Sequence, residues 1–303
     1  MTELLQTFSN NLLPILLISG SGFLLGKFLR VEPRPLGRVT FYILSPVLVF
    51  NLLTQSQLSP DRIGLMMGYA TTVNFLVAGL AYLTGRIFRL ERSVLTIVVL
   101  TTMFSNAGNY GLPLVAFAFG QEALAYASVF FVTNAILLNT VGVLIASLGQ
   151  MNVKDSLRGL LRVPAIYAVL AALIVIRMGW QMPTVLERTI NLAANGAIPA
   201  MLVLLGLELQ RIEWSENIRA LGISTVFRLL VGPLVGLALS ALFGLNSLAH
   251  KAGVTESAMP SAVLTTVLAS EYKLNSSLVT AIIFISTLLS PFTLTPLLLY
   301  LGR

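Results

Sequence analysis

Two short polar stretches interrupt segments that are otherwise apolar enough to lie in a membrane: Asn106-Ala107-Gly108-Asn109-Tyr110-Gly111-Leu112-Pro113 and Glu256-Ser257-Ala258-Met259-Pro260-Ser261. Each sets an Asn or a Glu four residues ahead of a proline, where a continuous helix would lose a backbone hydrogen bond and meet a ring clash. A broken helix survives at membrane depth only where the freed backbone groups line protein or water instead of lipid. Paired breaks in two halves of one chain are the sequence mark of a carrier's binding site.

The chemistry these residues predict is anion binding. Half-helices starting near Pro113 and Pro260 would present unpaired N–H groups and positive dipole ends to a carboxylate. Asn106 and Asn109 add amide donors, while Gly108 and Gly111 let backbone approach a ligand closely. Tyr110, Ser257, Met259 and Ser261 complete the predicted substrate site, with Asn134 and Thr265 in supporting roles. Glu256 is the one acid of twelve that falls at mid-depth. An ionised acid there costs about 2.5 to 3.5 kcal/mol, so Glu256 should be protonated or paired with a cation for part of a cycle. That makes it the predicted coupling residue, for a proton or for Na⁺. Arg228, placed in the first turn of its span by a helix start near Ser224, is expected to snorkel to the surface. His250 is the only histidine, so no multi-histidine metal site exists, and it is given no role.

The elements that must position these residues follow from composition. The chain has 303 residues, 56% hydrophobic and only 10% charged, with mean hydropathy +0.88; soluble domains carry about 25% charged residues. An all-α polytopic membrane protein is therefore expected. Its apolar start continues past Gly20 to Phe28 without a cleavage pattern, which reads as a first span instead of a removable signal. The absence of cysteine excludes disulfides, thiolate metal sites and cysteine nucleophiles. A net charge of +7 reports membrane orientation here, with no nucleic-acid partner implied.

Windows of about 20 apolar residues predict ten spans, at roughly 10–29, 36–54, 63–85, 93–119, 122–148, 162–179, 185–207, 222–243, 247–270 and 275–301. Loops after odd-numbered spans hold Lys27, Arg30, Arg34, Arg38, Arg86, Arg89, Arg92, Lys154, Arg158, Arg162, Arg211, Arg219 and Lys273. The other side has Arg62, Arg177, Arg188, Lys251 and Arg303. Odd loops are thus cytoplasmic and both termini face outward. A central loop around Met151–Asp155 divides residues 1–150 from 151–303, five spans each. An odd number per half inverts the second half relative to the first. Prolines support two related halves: Pro46 in span 2 answers Pro199 in span 7, and Pro113 answers Pro260 two spans later. At 1.5 Å per residue the breaks in spans 4 and 9 both fall near mid-depth, where the two helices are expected to cross.

On these features the chain resembles a bacterial member of the auxin efflux carrier family, within the bile/arsenite/riboflavin transporter superfamily. The resemblance rests on Asn106 to Pro113 with its Gly-Leu-Pro ending, Ile198-Pro199, Arg228 with Pro233, and Ser286-Thr287-Leu288-Leu289-Ser290. It implies inverted five-helix repeats, crossed broken helices 4 and 9, and alternation between a core and a scaffold. It also implies homodimers, and export of organic anions such as indole-3-acetate, malate or malonate across the inner membrane. Glu256 to Pro260 is similar to the crossover of bile acid sodium symporters, where a Glu ligates Na⁺, but Pro260 stands where those proteins carry Gln.

A secondary carrier for a small organic anion is the expected function. A sodium-coupled symporter of the bile acid type, or an ion antiporter of related fold, is the alternative. An enzyme is not expected, since the chain offers no mid-depth Asp, no Cys and one His.

Overall fold

The computed structural model describes residues 2–56, 58–147, 161, 163–210, 215 and 217–302. The predicted central loop at Met151–Asp155 lies outside them, as do Lys154, Arg158, Arg162, Arg211 and Arg303 of the charge pattern. Among the described residues the chain is helical throughout, with one isolated antiparallel bridge, between Ser105 and Ser261.

Among the described residues, seven helices are long and apolar enough to cross a membrane. They are α1 (Thr2–Leu29), α2 (Pro33–Ser56), α3 (Pro60–Ile87), α5 (Ala107–Ala146), α7 (Thr184–Leu209), α8 (Ile218–Leu242) and α11 (Ser276–Gly302). Shorter helices are α4 (Arg92–Met103), α6 (Pro164–Met178), α9 (Ser247–Ser257) and α10 (Thr265–Glu271). The 40-residue α5 is not one rod: Gly120 sits at φ 77° inside it. Such a backbone costs glycine nothing and any other residue strain, and it falls in the gap between expected spans 4 and 5.

Prolines shape the helices in a regular way. Wide π-helical turns occupy Phe8–Leu12, Thr40–Leu44, Ala107–Gly111 and Phe227–Val231. Each ends two residues before a proline: Pro14, Pro46, Pro113 and Pro233. A proline has no N–H to give and its ring presses on the carbonyl four residues back. Widening the preceding turn accommodates both demands while the chain stays helical. A fifth wide turn, Leu138–Gly142, has no proline after it, and nothing in the structure explains it.

Two bundles emerge from the packing. In the first, α1 packs along α7, and α2 packs on α6 and α7. Small residues allow this closeness: a Cβ on Gly22 would strike the Val203 carbonyl, and one on Gly206 the Ser19 carbonyl. In the second, α3 packs on α4 and α5, α5 on α9, and α8 on α3, α4, α9 and α11. The bundles meet where α2 lies on α5, where α7 lies on the first turn of α5, and where α1 meets α11. The second bundle carries both broken helices.

Candidate functional site

The first break begins after Met103. Thr101 and Thr102 turn their hydroxyls back onto the carbonyls of Ile97 and Val98 at 2.8 and 2.7 Å, and Phe104 is extended at φ −102°, ψ 115°. Ser105 then pairs with Ser261 of the second break. The Asn106 N–H donates to Pro260 O at 2.8 Å and the Ala262 N–H to Phe104 O at 2.9 Å. The two breaks therefore pair with each other, and each satisfies backbone groups the other leaves free.

The restart points differ from expectation. The chain resumes helical geometry at Ala107, through a wide turn in which the Gly111 N–H donates to Asn106 O at 3.0 Å. Pro113 is thus already inside the wound segment, the place where its clash is relieved. The second break runs from Ala258 to Leu264, and α10 starts only at Thr265. Pro260 opens no helix: its carbonyl is committed to Asn106. With α10 only seven residues long, no dipole site stands at Pro260, and that part of the predicted anion site is withdrawn.

Arg228 corrects the sequence reading most. Because α8 starts at Ile218, Arg228 is ten residues into it, about 15 Å along, and it is 1% exposed. It does not snorkel. Its Nη1 donates to Thr102 O at 2.9 Å, its Nη2 to Ser257 O at 3.0 Å and to Met259 O at 2.6 Å, and its Nε to Met259 O at 3.0 Å. One guanidinium thus clamps the ends of both broken helices, a task for a planar fork with several donors.

Glu256 is fully buried and neither carboxylate oxygen has a hydrogen-bond partner. It lies against the start of α5, since a Cβ on Gly111 would land on its carboxylate. Arg228 is the charged group that acts on it. The Gly108 position is similarly tight, with the Phe131 ring where a Cβ would go.

Most other predicted site residues are used by the fold. Asn134 donates to Ser105 O at 2.9 Å and accepts from Asn74 at 3.2 Å, so it supports the first break. Ser261 Oγ donates to Thr101 O at 2.8 Å, and its N–H donates to Ser286 Oγ at 3.2 Å. Ser257 and Thr265 hydroxyls donate to Val254 O and Ala262 O. Tyr110 accepts from Ser290 at 3.2 Å and, with Met259, packs in an apolar cluster with Leu12, Ile15, Leu202 and Leu294. Asn106 is buried with its Nδ2 unpartnered.

Asn109 is the exception, half-buried at the boundary between bundles. Its amide Nδ2 donates to Glu208 Oε2 of α7 at 3.2 Å. Glu208 in turn lines a small cleft with Val263, Thr266, Thr280 and Phe284. In sequence Glu208 is an acid at a span end, and only the packing of α7 on α5 brings it to Asn109.

A family model described as membrane transport protein matches residues 7–298. An uncharacterized transporter of Methanocaldococcus jannaschii is 28% identical over 267 residues, covering 84% of this chain and 85% of its own. Another, from Methanothermobacter thermautotrophicus, is 27% identical over 276 residues, with 88% and 91% covered. Auxin efflux carrier component 8 of Arabidopsis thaliana is 28% identical over 159 residues, 49% of this chain and 42% of the plant protein.

Proposed function

The chain belongs to the membrane transport protein family, and from that premise we propose that it is a secondary carrier for a small organic anion working by alternating access. The observation that carries this reading is the antiparallel joining of two interrupted helices through Ser105 and Ser261. Irregular backbone at such depth belongs to binding sites. Counting α4 with the part of α5 before Gly120 as one crossing, the rest of α5 as the next, and α9 with α10 as another, the chain crosses ten times. That is five times in each of two inverted halves, 1–150 and 151–303.

Asn109 is the residue proposed to meet the substrate, at the face between the bundles. Its amide already holds a carboxylate oxygen, that of Glu208, and the carboxylate of an organic acid makes the same bond. Glu208 is then the group that substrate displaces. Glu256, with two unpaired oxygens at the crossing, is the coupling residue. The likeness to an auxin efflux carrier component directs attention to aromatic acids such as indole-3-acetate, with malate and malonate as the dicarboxylate comparison.

Purified protein in liposomes tests this by exchange of these acids. Asn109→Ala should slow exchange by about tenfold or more, the worth of a hydrogen bond to a charged group, and Glu256→Gln should abolish uphill movement. Wild-type exchange by Asn109→Ala together with uphill movement retained by Glu256→Gln would show that the site is elsewhere.

A further inference from the structure

Carriers built on broken membrane helices ligate a coupling cation with unwound carbonyls and the C-terminal ends of half-helices. In this chain those oxygens are already occupied. Thr102 lies in the last turn of α4, Ser257 closes α9 and Met259 stands in the second break. All three carbonyls accept from Arg228, at distances from 2.6 to 3.0 Å.

We propose, building on the carrier reading above, that the Arg228 guanidinium is a tethered substitute for a coupling cation. It fills the carbonyl cage at the crossing, and the protein uses no soluble metal cation there. Charge points the same way. The crossing contains one buried acid, Glu256, and Arg228 is the charge that balances it. A Na⁺ added beside them would leave a net positive charge in a low-dielectric interior, which is strongly unfavourable.

Packing fixes the arginine where this role needs it. Gly232 and Gly236, four apart on one face of α8, follow the wide turn that holds Arg228. A Cβ on Gly232 would strike the Ser257 carbonyl, and one on Gly236 the Ser257 hydroxyl. This face of α8 is therefore pressed onto the end of α9, and the guanidinium reaches across to Thr102 of α4. Lysine carries its three donors on one nitrogen and lacks the planar fork that here spreads donation over Nε, Nη1 and Nη2. The donor set around Glu256 thus does not suit Na⁺, although the carboxylate by itself would.

The test uses full-length protein in detergent, with radioactive sodium binding and thermal unfolding as readouts. Wild type should show no saturable Na⁺ binding, and one melting temperature in sodium chloride and in choline chloride of equal ionic strength. Arg228→Ala should melt several degrees lower and regain stability with methylguanidinium or Na⁺ but not with choline. Saturable Na⁺ binding by the wild type would overturn the proposal. So would an Arg228→Ala protein that neither methylguanidinium nor Na⁺ stabilises. The wild-type arm decides the matter even if that variant cannot be purified. None of these readouts requires an organic anion to move, so a failed exchange assay leaves this test intact, and Na⁺ binding by wild type leaves anion carriage intact.

Discussion

The two breaks meet through one bridge but are built differently. The first is short, three non-helical residues from Phe104 to Asn106, after which the chain winds again at once. A neutral amide, Asn134, supports it, and the wide turn that follows sends one polar side chain, Asn109, to the bundle boundary. The second is longer, Ala258 to Leu264, and is held by a buried cation beside a buried acid. The contrast teaches a division of labour: the turn after the first break reaches the bundle boundary with an uncharged amide, while the second break is held by charges kept internal.

The sharpest way to break that contrast is Arg228→Met. It strands three carbonyls and leaves Glu256 without its counter-charge, a loss of about 3 to 5 kcal/mol. Thermal unfolding should show the largest drop of any variant here. Adding Glu256→Gln to it should recover part of the loss, and a double variant no more stable than Arg228→Met would deny the coupling. Gly111→Ala comes next, at about 1 to 3 kcal/mol for overpacking, because the methyl falls on the Glu256 carboxylate. Combining it with Glu256→Ala should relieve the clash, measured by the same unfolding curves.

Asn134→Ala tests the neutral side of the comparison. It removes the donor to Ser105 O in a buried place, at about 1 to 3 kcal/mol, less than the arginine change. Asn109→Ala should have the smallest effect on stability, within about 0.5 kcal/mol as for partly exposed positions away from the core. Its expected signature is slowed anion exchange in liposomes with an unchanged melting curve. A stability loss as large as that of Asn134→Ala would remove the distinction between a boundary amide and one that supports a break.

The two interruptions were legible because Asn109 and Glu256 each precede a proline by four residues inside apolar windows. The helix restarts were not, because a proline's fitness for a first turn says nothing of where the backbone can rewind. At Pro260 the carbonyl is needed by Asn106, so winding is postponed to Thr265. Arg228 was misplaced for a related reason. Hydropathy put the start of its span near Ser224, whereas the helix starts at Ile218, and six residues separate a surface arginine from a buried one. Glu208 was invisible as a partner, since its meaning comes from α7 lying on the first turn of α5, a contact between distant parts of the chain.

The wide turns ahead of Pro14, Pro46, Pro113 and Pro233 have an effect on every helical wheel drawn for this molecule. Each inserts one surplus residue into its spiral, which advances the downstream faces by about 100°. Residues on either side of such a point belong to different wheels, so a lipid-facing stripe projected from Pro33 toward Ser56, or from Ile218 toward Leu242, changes sides partway. Deleting a single residue there should re-phase the remainder of the rod, a far greater disturbance than any side-chain exchange at the same position.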